Sequence, residues 1–318
     1  MNVSWGDNMD RSSKHTHGTE ARLSLERTLD QCSASEIVQI MNDEDARVHE
    51  AVAREQDSIA AAVEMTACAF SLGGRLIYMG AGTSGRLGML DASECPPTFG
   101  ASPEQVKALI AGGLPAFFRS IEKAEDDAGQ AAADLAALRP PLCGNDVVIG
   151  ITASGTTPYV LAGLDQARGS GARTVLLCCN PGTTAKADQV IALDTGPEVL
   201  SGSTRLKAGT ATKMVLNMIT TGAMALCGRI YQGLMVGMRP FNAKLLNRAV
   251  KMVATLTGKD TEQAEILLHE AGDRIDVAVV MARRSMDAAR ATALLEENRG
   301  DLRAVFEKED AEENRDRP

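Results

Sequence analysis

RLIYMGAGTSGRLGMLDASECPPTFG, residues 75–100, carries an apolar run, a glycine-rich turn and an amphipathic segment in direct succession. RLIYMG is too short for a buried helix and reads as a strand. The turn Gly80-Ala81-Gly82-Thr83-Ser84-Gly85 follows, and SGRLGMLDASEC then reads as a helix ended by Pro96-Pro97. A strand, a glycine turn and a helix open a parallel α/β sheet. The same order returns downstream. DVVIGIT (146–152) reads as a strand and is followed by a hydroxyl-rich turn. TPYVLAGLDQARGS then reads as a helix with Pro158 in its first turn, and ARTVLLCCN as the next strand. Residues 189–193 give a short strand and 106–111 another apolar run. Helical periodicity starts at Ser33 and stops at Gly73-Gly74; residues 115–138, 205–231 and 242–256 are read as further helices. Strands alternating with helices predict an α/β fold with a three-layer parallel sheet covered on both faces.

The ends differ from this pattern. Residues 1–20 are polar and lack an apolar leader, so they read as a disordered tail. Residues 260–308 show only four short helical stretches. The expected division is a tail over 1–20, a main domain over 21–258 and a small all-helical domain over 259–318, hinged at Leu256-Thr257-Gly258.

Composition narrows the function. Lys and Arg number 33 against 42 Asp and Glu, a net charge of −9, which argues against a nucleic-acid partner. One Trp, three Tyr and six Phe are too few to wall an aromatic sugar or base cleft. The uncharged run Val147–Leu164 is broken by Gly, Ser, Thr and Pro, so no membrane span is expected. Seven cysteines, an odd number with no CxxC pair, suit buried thiols in a cytoplasmic protein. Of four histidines, His15 and His17 form an HxH in the tail, read as solvated, and no cluster has metal-ligand spacing. Neither a metal nor an organic cofactor is expected.

Gly80 to Gly85 matches GxGxxG, the dinucleotide fingerprint, which also requires a second strand about 20 residues on that ends in an acid for the ribose. ASECPPTFGASPEQ stands there instead, with two consecutive prolines and no acid-terminated strand. A phosphate loop fits better, because Thr83 and Ser84 add hydroxyl donors at a helix N-terminus that already favours an anion. Thr152, Ser154, Thr156 and Thr157 make a second such loop around Gly155; capping alone accounts for one hydroxyl. Two such loops at strand C-termini point to a phosphorylated small molecule, and a sugar is the natural candidate.

GAGTSGRLGMLDASECPPTFG (80–100) resembles the N-acetylmuramic acid 6-phosphate etherase family of the sugar-isomerase (SIS) superfamily. So do SEIVQIMNDEDARVHEAV (35–52), IEKAEDD (121–127), ASGTTPYVLAGL (153–164), GPEVLSGSTRLKAGTATKMVLNM (196–218), LMVGMRPFNAKL (234–245) and TGKDTEQAEILL (257–268). The resemblance implies a SIS fold and a homodimer with sites near the subunit interface. It also implies a cofactor-free lyase that cleaves the D-lactyl ether of N-acetylmuramic acid 6-phosphate in peptidoglycan recycling. It places the two catalytic glutamates at Glu94, within DASECPP, and at Glu125, within AEDD. Glu94 would protonate the departing lactate and Glu125 would work at C2.

The chemistry asks for such a pair, since eliminating an ether oxygen beside an acidic C–H needs one base and one acid. Glu94, just before Pro96, is expected near a helix C-terminus, where the dipole disfavours carboxylate and suits a proton donor. Read alone, without the motif, Glu94 is a solvated helix-end residue, and Glu125 belongs to a solvated acidic run with Glu122, Asp126 and Asp127. The phosphate is assigned to Thr83, Ser84, Ser154 and Thr157. Ser203 and Thr204 are expected to cap the long helix and face substrate. Lys207 is expected to bind substrate, with a surface lysine as the alternative. Three positions depart from the family pattern: Thr156 stands where an Arg is usual, Gly237 where an Asp is usual, and Lys123 where a small residue is usual. An animal glucokinase regulatory protein, which resembles the etherases, offers a sensor alternative, but it has two SIS-like modules in about twice this length. An aldose–ketose isomerase would share the C2 step without needing DASECPP.

Overall fold

A computed structural model describes residues 18–24 and 27–306. Most of the expected disordered tail, with His15 and His17, and the end of the last expected helix lie outside the described residues. In chain order the elements are α1 (Ala34–Arg54), α2 (Gln56–Ser71), β1 (Leu76–Gly80), α3 (Gly82–Phe99), β2 (Val106–Ile110), α4 (Pro115–Phe118), α5 (Ala128–Ala136) and β3 (Val147–Thr152). They continue as α6 (Pro158–Gly169), β4 (Arg173–Cys178), β5 (Gln189–Ala192), α7 (Lys207–Leu226), α8 (Ala243–Thr257), α9 (Thr261–Glu270), α10 (Ile275–Arg284) and α11 (Ala288–Glu297).

The five strands pair in parallel in the order β2-β1-β3-β4-β5. Alternation along each strand sends side chains to opposite faces. Leu76, Tyr78, Val147, Ile149, Ile151, Val175 and Leu177 face one way, onto a core shared with α1, α2, α3 and α7. Ile77, Met79, Val148, Leu176 and Cys178 face the other way, onto α5 and α6. The chain is therefore a three-layer α/β fold. The sheet order reverses between β1 and β3, and this switch point is where open α/β sheets bind ligands.

The far end of the sheet is locked by a buried ion pair. Arg75 bonds Asp146 at 2.6 Å and donates to the carbonyls of Pro140 and Pro141. Burial alone would raise the Asp146 carboxyl, but the Arg75 hydrogen bond and the amides of Cys143 and Arg75 hold it below the usual range.

A separate apolar cluster spans Tyr231 to Phe306 and joins α8 with α9, α10 and α11. The expected hinge at 256–258 falls between two helices of this cluster. We therefore propose a division before Tyr231 in place of one at 258. No helix among the described residues is long and apolar enough to cross a membrane.

Three sequence expectations need correction. The helix after β1 does not stop at Pro96-Pro97: α3 runs to Phe99 and ends on Gly100 in the left-handed region. Proline keeps a helical φ, and two lost amide donors near the helix end are offset by burial of Cys95 and Phe99. Gly100 also packs against the chain, since a Cβ there would lie 2.0 Å from the Gly237 carbonyl. Residues 115–138 are not one helix. Lys123 turns the chain at φ 61° and Asp127 caps the new helix α5 through the Gln130 amide. The long helix is α7, shorter than 205–231. Its cap is neither Ser203 nor Thr204 but the buried Glu198 carboxylate, which accepts from the Lys207 and Ala208 amides at 3.1 and 3.0 Å.

Candidate functional site

The first loop is almost absent, because β1 ends at Gly80 and α3 begins at Gly82. This tight junction requires glycine. A Cβ on Gly80 would meet the Gly85 nitrogen at 2.7 Å, and one on Gly85 would meet Ile110 Cγ1 at 2.6 Å. The first turn of α3 is thus pressed onto the ends of β1 and β2. Its N-cap residue, Ala81, offers no capping oxygen, and its first turn holds no acid, so its amides remain for an anion.

The second loop turns at Gly155, φ 76°, against Thr183. The hydroxyls of Thr152 and Thr157 bond each other at 2.7 Å, and the Gly155 amide donates to Thr152 Oγ1. Ser154 Oγ accepts from the amide and hydroxyl of Thr156 at 3.2 and 3.0 Å. A hydroxyl accepts two bonds and donates one, so the Ser154 proton is left for Thr152 or for a ligand. Asn180 fixes the loop through the Ser154 carbonyl at 2.9 Å. Thr157, at the N-cap of α6, makes no side-chain cap. By contrast α1, α5, α8, α9 and α11 are capped by Ser33, Asp127, Asn242, Asp260 and Asp287.

These two uncapped helix ends meet at the switch point around a cleft of about 280 Å³. Thr83 and Ser84 line it from the first loop, Thr152, Ser154 and Thr157 from the second, and Thr204 from the segment before α7. Glu125, on the 3-10 turn Ala124–Asp126, is the one charged residue of the lining. The cleft thus offers hydroxyls, two helix N-termini and one carboxylate. It can hold a phosphate on neutral donors while a base stands beside it.

Three expected site residues are placed elsewhere. Ser203 does not line the cleft, although its neighbours Gly202 and Thr204 do. Lys207 is 1% exposed and paired with Glu44, which also meets Arg47 at 3.3 Å. It acts inside the fold, not at the surface. Glu94 is exposed and lies more than one turn before the end of α3, beyond the last turn in which the helix dipole acts. Ten residues of helix separate it from Ser84, about 15 Å at 1.5 Å per residue. One chain therefore does not bring Glu94 and Glu125 to the same cleft.

Sequence reasoning missed Asp91, three residues before Glu94. Asp91 is buried and accepts from Tyr78 at 2.8 Å, Asn217 at 2.7 Å and Thr220 at 3.2 Å. Burial raises its carboxyl above the usual range, against the pull of those three bonds. The signal was present in the period of the helix: Asp91, Ala92, Cys95 and Phe99 are buried, whereas Leu90, Ser93 and Glu94 are exposed. Burial also pushes the Cys95 and Cys179 thiols up to about 12, which removes both as nucleophiles near neutral pH.

Residues 58–168 match the glucokinase regulatory protein N-terminal SIS domain, and residues 116–222 match the SIS domain. Among solved structures the chain is similar to a phosphoheptose isomerase from Neisseria gonorrhoeae, with 16% identity and a TM-score of 0.45, over 61% of this chain and 100% of that one. The N-acetylmuramic acid 6-phosphate etherase of Salmonella agona (strain SL483) is 49% identical, over 91% of this chain and 97% of its own. That of Symbiobacterium thermophilum is 52% identical, over 82% and 87%. At this identity and coverage, the chain belongs to the N-acetylmuramic acid 6-phosphate etherase family.

Proposed function

We propose that the protein is a lyase that cleaves the D-lactyl ether of N-acetylmuramic acid 6-phosphate, giving N-acetylglucosamine 6-phosphate and D-lactate for reuse of cell-wall sugars. The observation that carries this reading is the meeting of two hydroxyl-rich loops and Glu125 in one cleft, in a chain of this family. The open-chain aldehyde makes the C2 proton acidic. Glu125 takes that proton, the C3–O bond breaks, and the leaving oxygen receives a proton from Glu94. Water then adds at C3 of the unsaturated aldehyde, with a proton returned to C2. Thr83, Ser84, Ser154, Thr157 and Thr204 hold the phosphate end.

Glu94 reaches the reaction from a second copy of the chain in a homodimer. Two observations support this: its distance along α3 from the cleft of its own chain, and Leu90, 49% exposed one turn earlier on the same face. Lys207 and Glu44 brace the α7 side from within. Of the cysteines expected to be buried, Cys95, Cys178 and Cys179 are, whereas Cys68 and Cys143 are exposed; free exposed thiols suit a cytoplasmic setting. The test is direct: purified protein and N-acetylmuramic acid 6-phosphate should yield D-lactate and N-acetylglucosamine 6-phosphate in equal amounts. Absence of lactate would overturn the reading. Isomerisation of a sugar phosphate without lactate release would favour the isomerase alternative.

A further inference from the structure

Beyond Glu125 lies a second chamber, of about 160 Å³, that shares Ala81, Gly82 and Glu125 with the phosphate cleft. Glu125 therefore stands between two cavities. The phosphate cleft has no cation in its lining, whereas this chamber is lined by Arg86, from the first turns of α3, and by Lys123. The Arg86 Nε donates to the Phe117 carbonyl at 3.0 Å, which fixes the plane of the guanidinium. Its two terminal nitrogens make no hydrogen bond to the described residues, and neither Arg86 nor Lys123 has an acid within ion-pair distance among them. Glu122 is the one other acid of the lining.

We propose that this chamber is the subsite for the lactyl carboxylate, read by Arg86 and Lys123. The proposal rests on the etherase reading above and adds to it the group that distinguishes this substrate from other sugar phosphates. The connectivity allows this placement: with the C6 phosphate in the cleft and C2 at Glu125, the lactyl group branches from the adjacent carbon, C3, and extends into the chamber that shares Glu125. The volume fits, since 160 Å³ equals about five waters at about 30 Å³ each, room for a small hydroxy acid. A half-buried guanidinium oriented through Nε presents its remaining donors as a fork that matches a carboxylate. Lys123 adds a point charge from a turn whose positive φ, 61°, sets the residue's direction. Position 123 is also one at which this chain departs from the family pattern, by gaining a cation.

The experiment compares three ligands on wild type, Arg86→Gln and Lys123→Gln. They are N-acetylmuramic acid 6-phosphate, its lactamide, in which the carboxylate is a neutral amide, and N-acetylglucosamine 6-phosphate as an inhibitor. Wild type should show a KM for the amide about 10- to 100-fold above that for the acid, the loss expected when a charged hydrogen bond goes unmade. Arg86→Gln should raise KM for the acid by about 10- to 100-fold and change KM for the amide less than about threefold, abolishing the discrimination. Lys123→Gln, at an exposed turn with no fold to lose, should raise KM for the acid about three- to tenfold. Inhibition by N-acetylglucosamine 6-phosphate, which lacks the lactyl group, should stay within about threefold in both variants. Equal loss on acid and amide, equal loss on the inhibitor, or wild type treating acid and amide alike would each overturn the proposal. Failure of the etherase reading is a separate result, because wild type would then release no lactate from the acid.

Discussion

If Glu94 and Glu125 act on one substrate from different chains, two dead variants should rescue each other. Within a single chain, Glu94 lies about 15 Å along α3 from the Ser84 end of the cleft that Glu125 lines. A symmetric dimer with isologous contacts can bring the exposed face of α3 from one protomer to the cleft of its partner, twice over. Glu94→Gln and Glu125→Gln should each lower lactate release about 10²- to 10⁴-fold, the usual worth of a positioned acid or base. Mixing equal amounts and allowing exchange gives about half heterodimers, and each heterodimer has one site with both glutamates intact. Activity should therefore return to about a quarter of wild type, well over tenfold above either variant alone. The assay is D-lactate release after mixing, with native mass spectrometry of differently tagged chains to establish exchange. Heterodimers without recovered activity would refute shared sites, because they would place both glutamates in one protomer. A monomer in solution would refute them as well.

The two glutamates should also separate by isotope. Incubated with product in D₂O, Glu94→Gln should still exchange deuterium into C2, whereas Glu125→Gln should not; the reverse pattern would exchange their roles. Ser84→Ala and Ser154→Ala should each weaken substrate binding by about 1.5–3 kcal/mol, and unphosphorylated N-acetylmuramic acid should be a poor substrate. Equal efficiency without the phosphate would contradict phosphate binding by the two hydroxyl-rich loops. Asp146→Asn should cost about 3–5 kcal/mol, because it strands the buried Arg75. The Asp146 carboxyl is depressed in the fold, so its contribution is present above about pH 4 and lost as pH falls through its folded value; denaturant midpoints of wild type and variant should converge in acid. Asp91→Ala should destabilise the fold by about 2–5 kcal/mol by leaving the Tyr78 hydroxyl and the Asn217 amide without their acceptor. An unchanged midpoint would show that those groups find other partners.

Much of the sheet was legible because its strands are short apolar runs closed by glycine or hydroxyl turns, a pattern that burial on both faces requires. Thr83, Ser84, Ser154 and Thr157 were legible for a local reason: each sits within a few residues of the strand end that positions it. Glu125, Thr204 and Lys207 are set by contacts over long sequence separation. Lys207 shows the difference most clearly, because its partner Glu44 is 163 residues away and nothing in STRLKAGT reveals it. Glu198 likewise caps α7 from nine residues upstream, across a loop, where a local rule selected Ser203 and Thr204. Pro96 and Pro97 misled because proline's local cost was set against a helix end, while the packing of Cys95, Phe99 and Gly100 decided the matter.

DASECPP is specific because it serves two surfaces of one helix. Its inward residues meet demands of the fold: Asp91 gathers Tyr78, Asn217 and Thr220, and Cys95 packs against the sheet. Of its outward residues, Ser93 donates to the Leu90 carbonyl at 2.8 Å, whereas exposed Glu94 makes no hydrogen bond or ion pair with the described residues. A carboxylate held on a rigid helix, on a stripe that also exposes Leu90, fits the proposed role of Glu94 toward a second copy of the chain. The two acids of the motif therefore answer to different tests. Loss of Asp91 should register in stability, and loss of Glu94 in turnover with stability unchanged. If Glu94→Gln shifted the midpoint as Asp91→Ala does, Glu94 would belong to the fold and the acid would have to be sought elsewhere.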